Sequence, residues 1–196
     1  GGVITTDDDA LADTLRRKRL HGISRDAWKR YSAEGTWYYQ VEELGFKYNM
    51  TDINAAIGLH QLDRLEDFHR RRLALVALYD ELLADVPGVL RPLPPTHGEC
   101  SWHLYVVGID GSRVRIGRNE VIDALKADNI GTSVHFIPIH LHSFYQKRLG
   151  CKEDDFPNAT RLYQQAISLP LFPTLRPEDV RAVVRSLARI VGGALK

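Results

Sequence analysis

The residue types in this chain that could do chemistry fall in two places. The first is Asn49, inside the run Leu44-Gly45-Phe46-Lys47-Tyr48-Asn49-Met50-Thr51-Asp52-Ile53-Asn54-Ala55-Ala56-Ile57-Gly58-Leu59. An aromatic, β-prone stretch ends there in a polar turn, and an amphipathic helix begins. Thr51 or Asp52 can cap that helix, because a side-chain oxygen there accepts a free backbone N–H. Asn49 stands just outside the cap, where its amide is free to bind something other than its own helix. The plainer reading is a strand-to-helix corner with Asn49 as its turn residue. The second place is His135-Phe136-Ile137-Pro138-Ile139-His140-Leu141-His142. Three histidines invite a metal, but spacings of five and two match no zinc pattern. No cysteine or carboxylate stands beside them to complete a tetrahedral shell, so no metal site is expected. On position alone, His135 ends a strand, and His140 and His142 lie at a helix start.

These residues depend on the elements around them. Gly1 to Thr6 is short and β-prone, and Asp7-Asp8-Asp9 announces a helix. Acids at its start and Arg16, Arg17, Lys18 and Arg19 near its end match the helix dipole at both ends. Gly22 is a plausible left-handed stop. That accounts for the basic cluster as a solvated last turn. Residues 23–35 carry no clear period and read as a loop. Trp37 to Tyr48 concentrates aromatic and β-branched residues, which favours extended structure and a hairpin.

From Asp52 to about Val86 apolar residues recur at helical spacing, with Ile53, Ile57, Leu62, Leu65, Phe68, Val76, Tyr79 and Leu83 on one face. The spacing predicts one long helix, ended by Pro87-Gly88. Arg70, Arg71 and Arg72 cannot all point inward, and at least two of them are expected in solvent. Arg91 to Gly98 is a proline-rich connector. A strand over Ser101–Ile109, a helix over Asn119–Asp128 and a strand over Ile130–Phe136 follow. Asn158 is placed as a helix cap, and Ile167 to Pro173 as an extended, structural segment. The last helix opens at Pro177 and buries Val180, Val183, Val184, Leu187 and Val191. This β-α-β order with later helices makes a small α/β domain (α+β in detail), one mixed sheet covered by helices.

The bulk numbers narrow the class. The chain has 196 residues, 44% of them hydrophobic and 26% charged, with a net charge of +1. No field of one sign draws it to nucleic acid or to anionic lipid, and neither is an expected partner. No apolar run approaches a membrane span, and no signal peptide is expected at the start. Cys100 and Cys151 make no disulfide framework; two reduced thiols in the cytoplasm are expected.

The string around Asn49 resembles the signature of the DegT/DnrJ/EryC1/StrS family of sugar aminotransferases, and the resemblance runs through the rest of the chain. It implies the aspartate-aminotransferase type I fold and pyridoxal 5'-phosphate (PLP) as cofactor. Gly1-Gly2-Val3-Ile4-Thr5-Thr6-Asp7 is similar to the strand just after the Schiff-base lysine. By that resemblance the lysine and the carboxylate on the pyridine nitrogen are expected upstream of Gly1, and no catalytic residue within the chain. No lysine here has the Ser/Thr-rich context of the family, and Lys47 sits in the hairpin. The chain alone is therefore expected to be inactive.

The resemblance further divides the chain. Residues 1–50 would end the large PLP-binding domain and include a hairpin reaching across a homodimer interface. Residues 51–87 would form a long interdomain helix, and 88–196 the small C-terminal domain. Asn49 would bind the PLP phosphate of the neighbouring subunit. His135 and His140 would contact a nucleotide-sugar substrate, and an amino acid, typically glutamate, would donate the amino group. The rival expectation is a non-catalytic module that dimerises or binds a ligand.

Overall fold

The computed structural model describes residues 1–24 and 38–196. Trp37 and most of the loop expected over 23–35 lie outside the described residues. The chain divides into two compact units, Gly1–Asp63 and Arg64–Lys196.

In the first unit, Gly1 to Thr6 forms no strand, and Val3 and Ile4 are exposed. Helix α1 spans Asp9–Lys18, and its Leu11 N–H donates to Asp8 Oδ1 at 3.0 Å. Asp9 lies in its first turn, and Arg16, Arg17 and Lys18 lie in its last, as the charge pattern requires. His21 and Gly22 then adopt φ of 59° and 70°, reversing the chain. Described residues 38–48 form no strand and no hairpin of their own, unlike the hairpin their composition predicts, and pair instead with the segment leaving α1. His21 N–H donates to Phe46 O at 2.8 Å, Phe46 N–H to Lys18 O at 2.7 Å, and Tyr48 N–H to Arg19 O at 2.8 Å. Isolated antiparallel bridges join Leu20 to Lys47 and Ile23 to Val41. Arg17 Nε donates to Glu43 Oε1 at 3.2 Å, so the basic last turn is held by acids of the extended segment.

Helix α2, Asp52–Asp63, follows, and Asn54 N–H donates to Thr51 Oγ1 at 3.4 Å. Thr51 is therefore the cap. The single helix expected from Asp52 to about Val86 is two helices. Arg64, with φ −100° and ψ −2°, is a turn residue outside both helices, and α3 spans Leu65–Leu82. The expected apolar face divides with it. Leu75, Val76 and Tyr79 of α3 are buried, whereas no residue of α2 is.

In the second unit the sheet is antiparallel throughout, not mixed. Its strands are β1 Val89–Leu90, β2 Tyr105–Ile109 and β3 Ala166–Leu169, in the order β1-β2-β3. The strand expected from Ser101 begins only at Tyr105, after Trp102 takes φ 47°. The strand expected over Ile130–Phe136 reduces to one bridge, Ser133 to Ser168. Pro138, which lacks an N–H, follows closely and limits any longer ladder. Helix α4, Arg118–Ala127, buries Val121 and Leu125 and leaves Ile122 half-buried. Two short helices follow, α5 over Ser143–Leu149 and α6 over Pro157–Gln165. Asn158 is not the cap of α6. Pro157 takes the first helical position, and Asn158 Oδ1 instead accepts from Arg161 Nη2 at 3.1 Å. Helix α7, Pro177–Gly192, buries all five predicted residues, Val180, Val183, Val184, Leu187 and Val191.

The core lies where α3, α4 and α7 meet the sheet. Fully burying each such side chain contributes roughly 1.5–3 kcal/mol. Tyr79 and Tyr105 stack at 4.7 Å between ring centroids. Tyr79 Oη donates to Pro170 O at 2.9 Å, and Tyr105 Oη to Asp80 Oδ1 at 2.6 Å. Burial pushes both phenols above the ordinary tyrosine range, so they stay protonated donors. They tie α3 to β2 and to the end of β3.

Candidate cofactor and substrate site

Asn49 is positioned by backbone on both sides. Tyr48 N–H is held by Arg19 O, and Thr51 starts α2 two residues later. The Tyr48 ring stacks on Phe46, with centroids 5.0 Å apart and 4° between planes. Asn49 Oδ1 is buried and has no hydrogen-bond partner among the described residues. A buried polar atom left unpaired costs about 1–3 kcal/mol. Among the described residues no hydrogen bond fixes which way the amide faces, so its NH2 is available to an acceptor from outside. A phosphate oxygen is such an acceptor. Lys47 is exposed and lies in the bridge to Leu20.

His135 and His140 belong to the second unit, and each spends one ring nitrogen on the hydroxyl of a buried residue. His135 Nδ1 lies 2.8 Å from Ser168 Oγ, and its ring meets Phe136 edge-on at 4.7 Å. Ser168 is a buried residue of β3. His140 sits in a 3₁₀ turn, Ile139–Leu141, and is itself buried. Its Nε2 lies 2.9 Å from Thr160 Oγ1 in α6, and Phe156 covers the ring at 4.9 Å. His142 leads into α5. Among the described residues no group of three or more His, Cys, Asp or Glu could hold a metal ion.

Ser168 and Thr160 hold the two candidate histidines, and the sequence did not single either out for that. Ser168 had a signal, a lone hydroxyl between Ile167 and Leu169 in an apolar strand. Thr160 had none in its local pattern. Arg118, also missed, is buried in α4; its guanidinium lies 4.9 Å over the Tyr163 ring and donates to Ala166 O at 3.4 Å.

Comparison with known proteins shows the family of the chain. The model of the DegT/DnrJ/EryC1/StrS aminotransferase family matches residues 1–188. The chain belongs to that family. It is 49% identical over 195 residues to the spore coat polysaccharide biosynthesis protein SpsC of Bacillus subtilis, covering 99% of this chain and 50% of that protein. The fold is similar to that of Spr1654 from Streptococcus pneumoniae in its PLP-form, with TM-score 0.82, 30% identity, and 97% of this chain and 46% of that one covered. It is similar also to the sugar aminotransferase CalS13 from Micromonospora echinospora, with TM-score 0.75 and 27% identity, over 93% of this chain and 45% of that one.

The fold is thus that of the type I PLP sugar aminotransferases, and PLP is the family's cofactor. The chain spans about half the length of the curated relatives it matches. No helix among the described residues is long and apolar enough to cross a membrane.

Proposed function

We propose that the chain is the C-terminal part of an aminotransferase that aminates the ketone of a nucleotide-linked sugar, with glutamate as amino donor. The product would serve cell-surface polysaccharide or secondary-metabolite sugar synthesis in the cytoplasm. The observation that carries the reading is Asn49 at the entrance to α2, its buried Oδ1 without a partner among the described residues, in a chain of this family. PLP, when bound, carries the amino group from donor to acceptor. In a homodimer the Asn49 NH2 donates to the PLP phosphate of the neighbouring subunit, helping to hold and orient it. Neutral donors suit a phosphate near a helix N-terminus. His135, with Nδ1 committed to Ser168, presents its other ring nitrogen to substrate, and His140 does the same from its turn.

The base that moves the proton, a lysine in the family's Ser/Thr-rich context, is not among these 196 residues, so alone they do not transaminate. The test is to incubate the full-length protein with PLP, glutamate and nucleotide-linked keto-sugars. Formation of 2-oxoglutarate that depends on the sugar is expected. Turnover of simple 2-oxo acids with no response to any nucleotide-linked keto-sugar would overturn the proposal.

A further inference from the structure

We propose that Thr160 is a positioning residue that sets the tautomer of His140, so that Nδ1, the ring nitrogen left for a ligand, accepts a hydrogen bond and does not donate one. The ligand half of this rests on the reading of His140 as a substrate contact; the tautomer half does not. A threonine hydroxyl has a single proton. That of Thr160 goes to the backbone oxygen of Glu153 at 3.0 Å, in the 3₁₀ turn Glu153–Asp155. Oγ1 can then only accept from His140, and Nε2 at 2.9 Å must carry the hydrogen. Both residues are buried, at 5% exposure for His140 and 8% for Thr160, so water does not compete for the contact. Reversing it would break the Thr160–Glu153 bond. Phe156 lies against the ring at 4.9 Å and resists a flip.

A neutral imidazole with hydrogen on Nε2 has one lone pair in the ring plane, on Nδ1. No partner within the described residues takes it. Diphosphate oxygens only accept hydrogen bonds at neutral pH, whereas a sugar hydroxyl donates. Of the two halves of a nucleotide-linked sugar, His140 therefore suits a hydroxyl of the sugar. A sugar lacking that hydroxyl would leave Nδ1 unpaired, which is how a site discriminates by a missing polar group.

The experiment is long-range ¹H–¹⁵N correlation spectroscopy on the full-length protein carrying ¹⁵N-histidine, with His140 assigned by its loss in His140→Gln. His140 is expected in the Nε2–H form in wild type and in Thr160→Ser, and as a mixture of tautomers in Thr160→Val. Hydrogen on Nδ1 in wild type, or an unchanged Nε2–H form in Thr160→Val, overturns the role of Thr160. Should Thr160→Val not fold, wild type and Thr160→Ser decide, and Nδ1–H in either overturns it. Uridine and thymidine diphosphates are then titrated with and without an attached hexose. A shift at Nδ1 only with the hexose supports the hydroxyl assignment, and a shift with the bare diphosphate overturns it. No shift with any of them, the tautomer standing, overturns the substrate role of His140 itself.

Discussion

Gly22 and Gly45 meet backbone to backbone. A Cβ on Gly45 would lie 2.1 Å from the Gly22 nitrogen, and one on Gly22 would lie 1.9 Å from the Glu43 carbonyl oxygen. Gly22 also holds φ at 70°, which only glycine adopts without strain. This contact seats residues 41–46 against the exit of α1 and so sets the direction in which Asn49 leaves.

Gly45→Ala should therefore destabilise the first unit by at least the ~1–3 kcal/mol typical of overpacking, because the clash is with backbone that no rotamer can relieve. Urea denaturation of wild type and variant measures it. Equal midpoints would show that the two segments part without cost.

Asp128 yields a pH prediction. Hydrogen bonds from the Ser186 hydroxyl and then the Arg189 guanidinium hold its carboxyl below the usual carboxylate range. A carboxylate whose folded pKa is depressed adds stability above its unfolded value of about 3.9, and that stability is lost as pH falls through the folded value. Asp128→Asn should flatten the loss of stability in that acid window. Denaturation curves across pH check this, and parallel pH dependences would contradict it.

Helix α2 leaves Ile53, Leu59 and Leu62 exposed at 76%, 66% and 65%. A helix apolar on several sides is one that packs against other protein. These 196 residues by themselves should self-associate in sedimentation, with apolar dye bound. A strict monomer at high concentration, with no dye binding, would contradict this.

Lys47 should stay unmodified when these 196 residues are mixed with PLP and reduced with borohydride, beyond the background of other surface lysines. It is exposed, and it sits in the bridge to Leu20. Peptide mapping by mass spectrometry reads the result. A selective, stable adduct at Lys47 would sink the assignment of the covalent lysine to a position outside this chain.

Helix α7 was legible residue by residue, because its buried valines follow one period and Pro177 marks its first turn. The corner at Asn49 was legible too, from cap chemistry at Thr51. The break at Arg64 was not, since neither proline nor glycine announces it and apolar spacing continues through it. Nor were the partners of the histidines. Ser168 and Thr160 lie 33 and 20 residues from them in sequence, and the pairings arise only when β3 and α6 pack beside the loop. The strand over Ile130–Phe136 has the right composition, but its pairing ends after one bridge.

The central claim is that the Asn49 amide serves a phosphate and not its own fold. In the full-length enzyme, Asn49→Ala removes a hydrogen bond to a charged group, a contribution of about 1.5–3 kcal/mol. PLP affinity should therefore fall by about one to two decades. Melting without cofactor should change little, because Thr51 still caps α2 and no partner among the described residues loses a bond. PLP titration of wild type and variant, alongside cofactor-free melting, reads both quantities. Unchanged PLP affinity with lowered cofactor-free stability would contradict the account and leave Asn49 a corner residue.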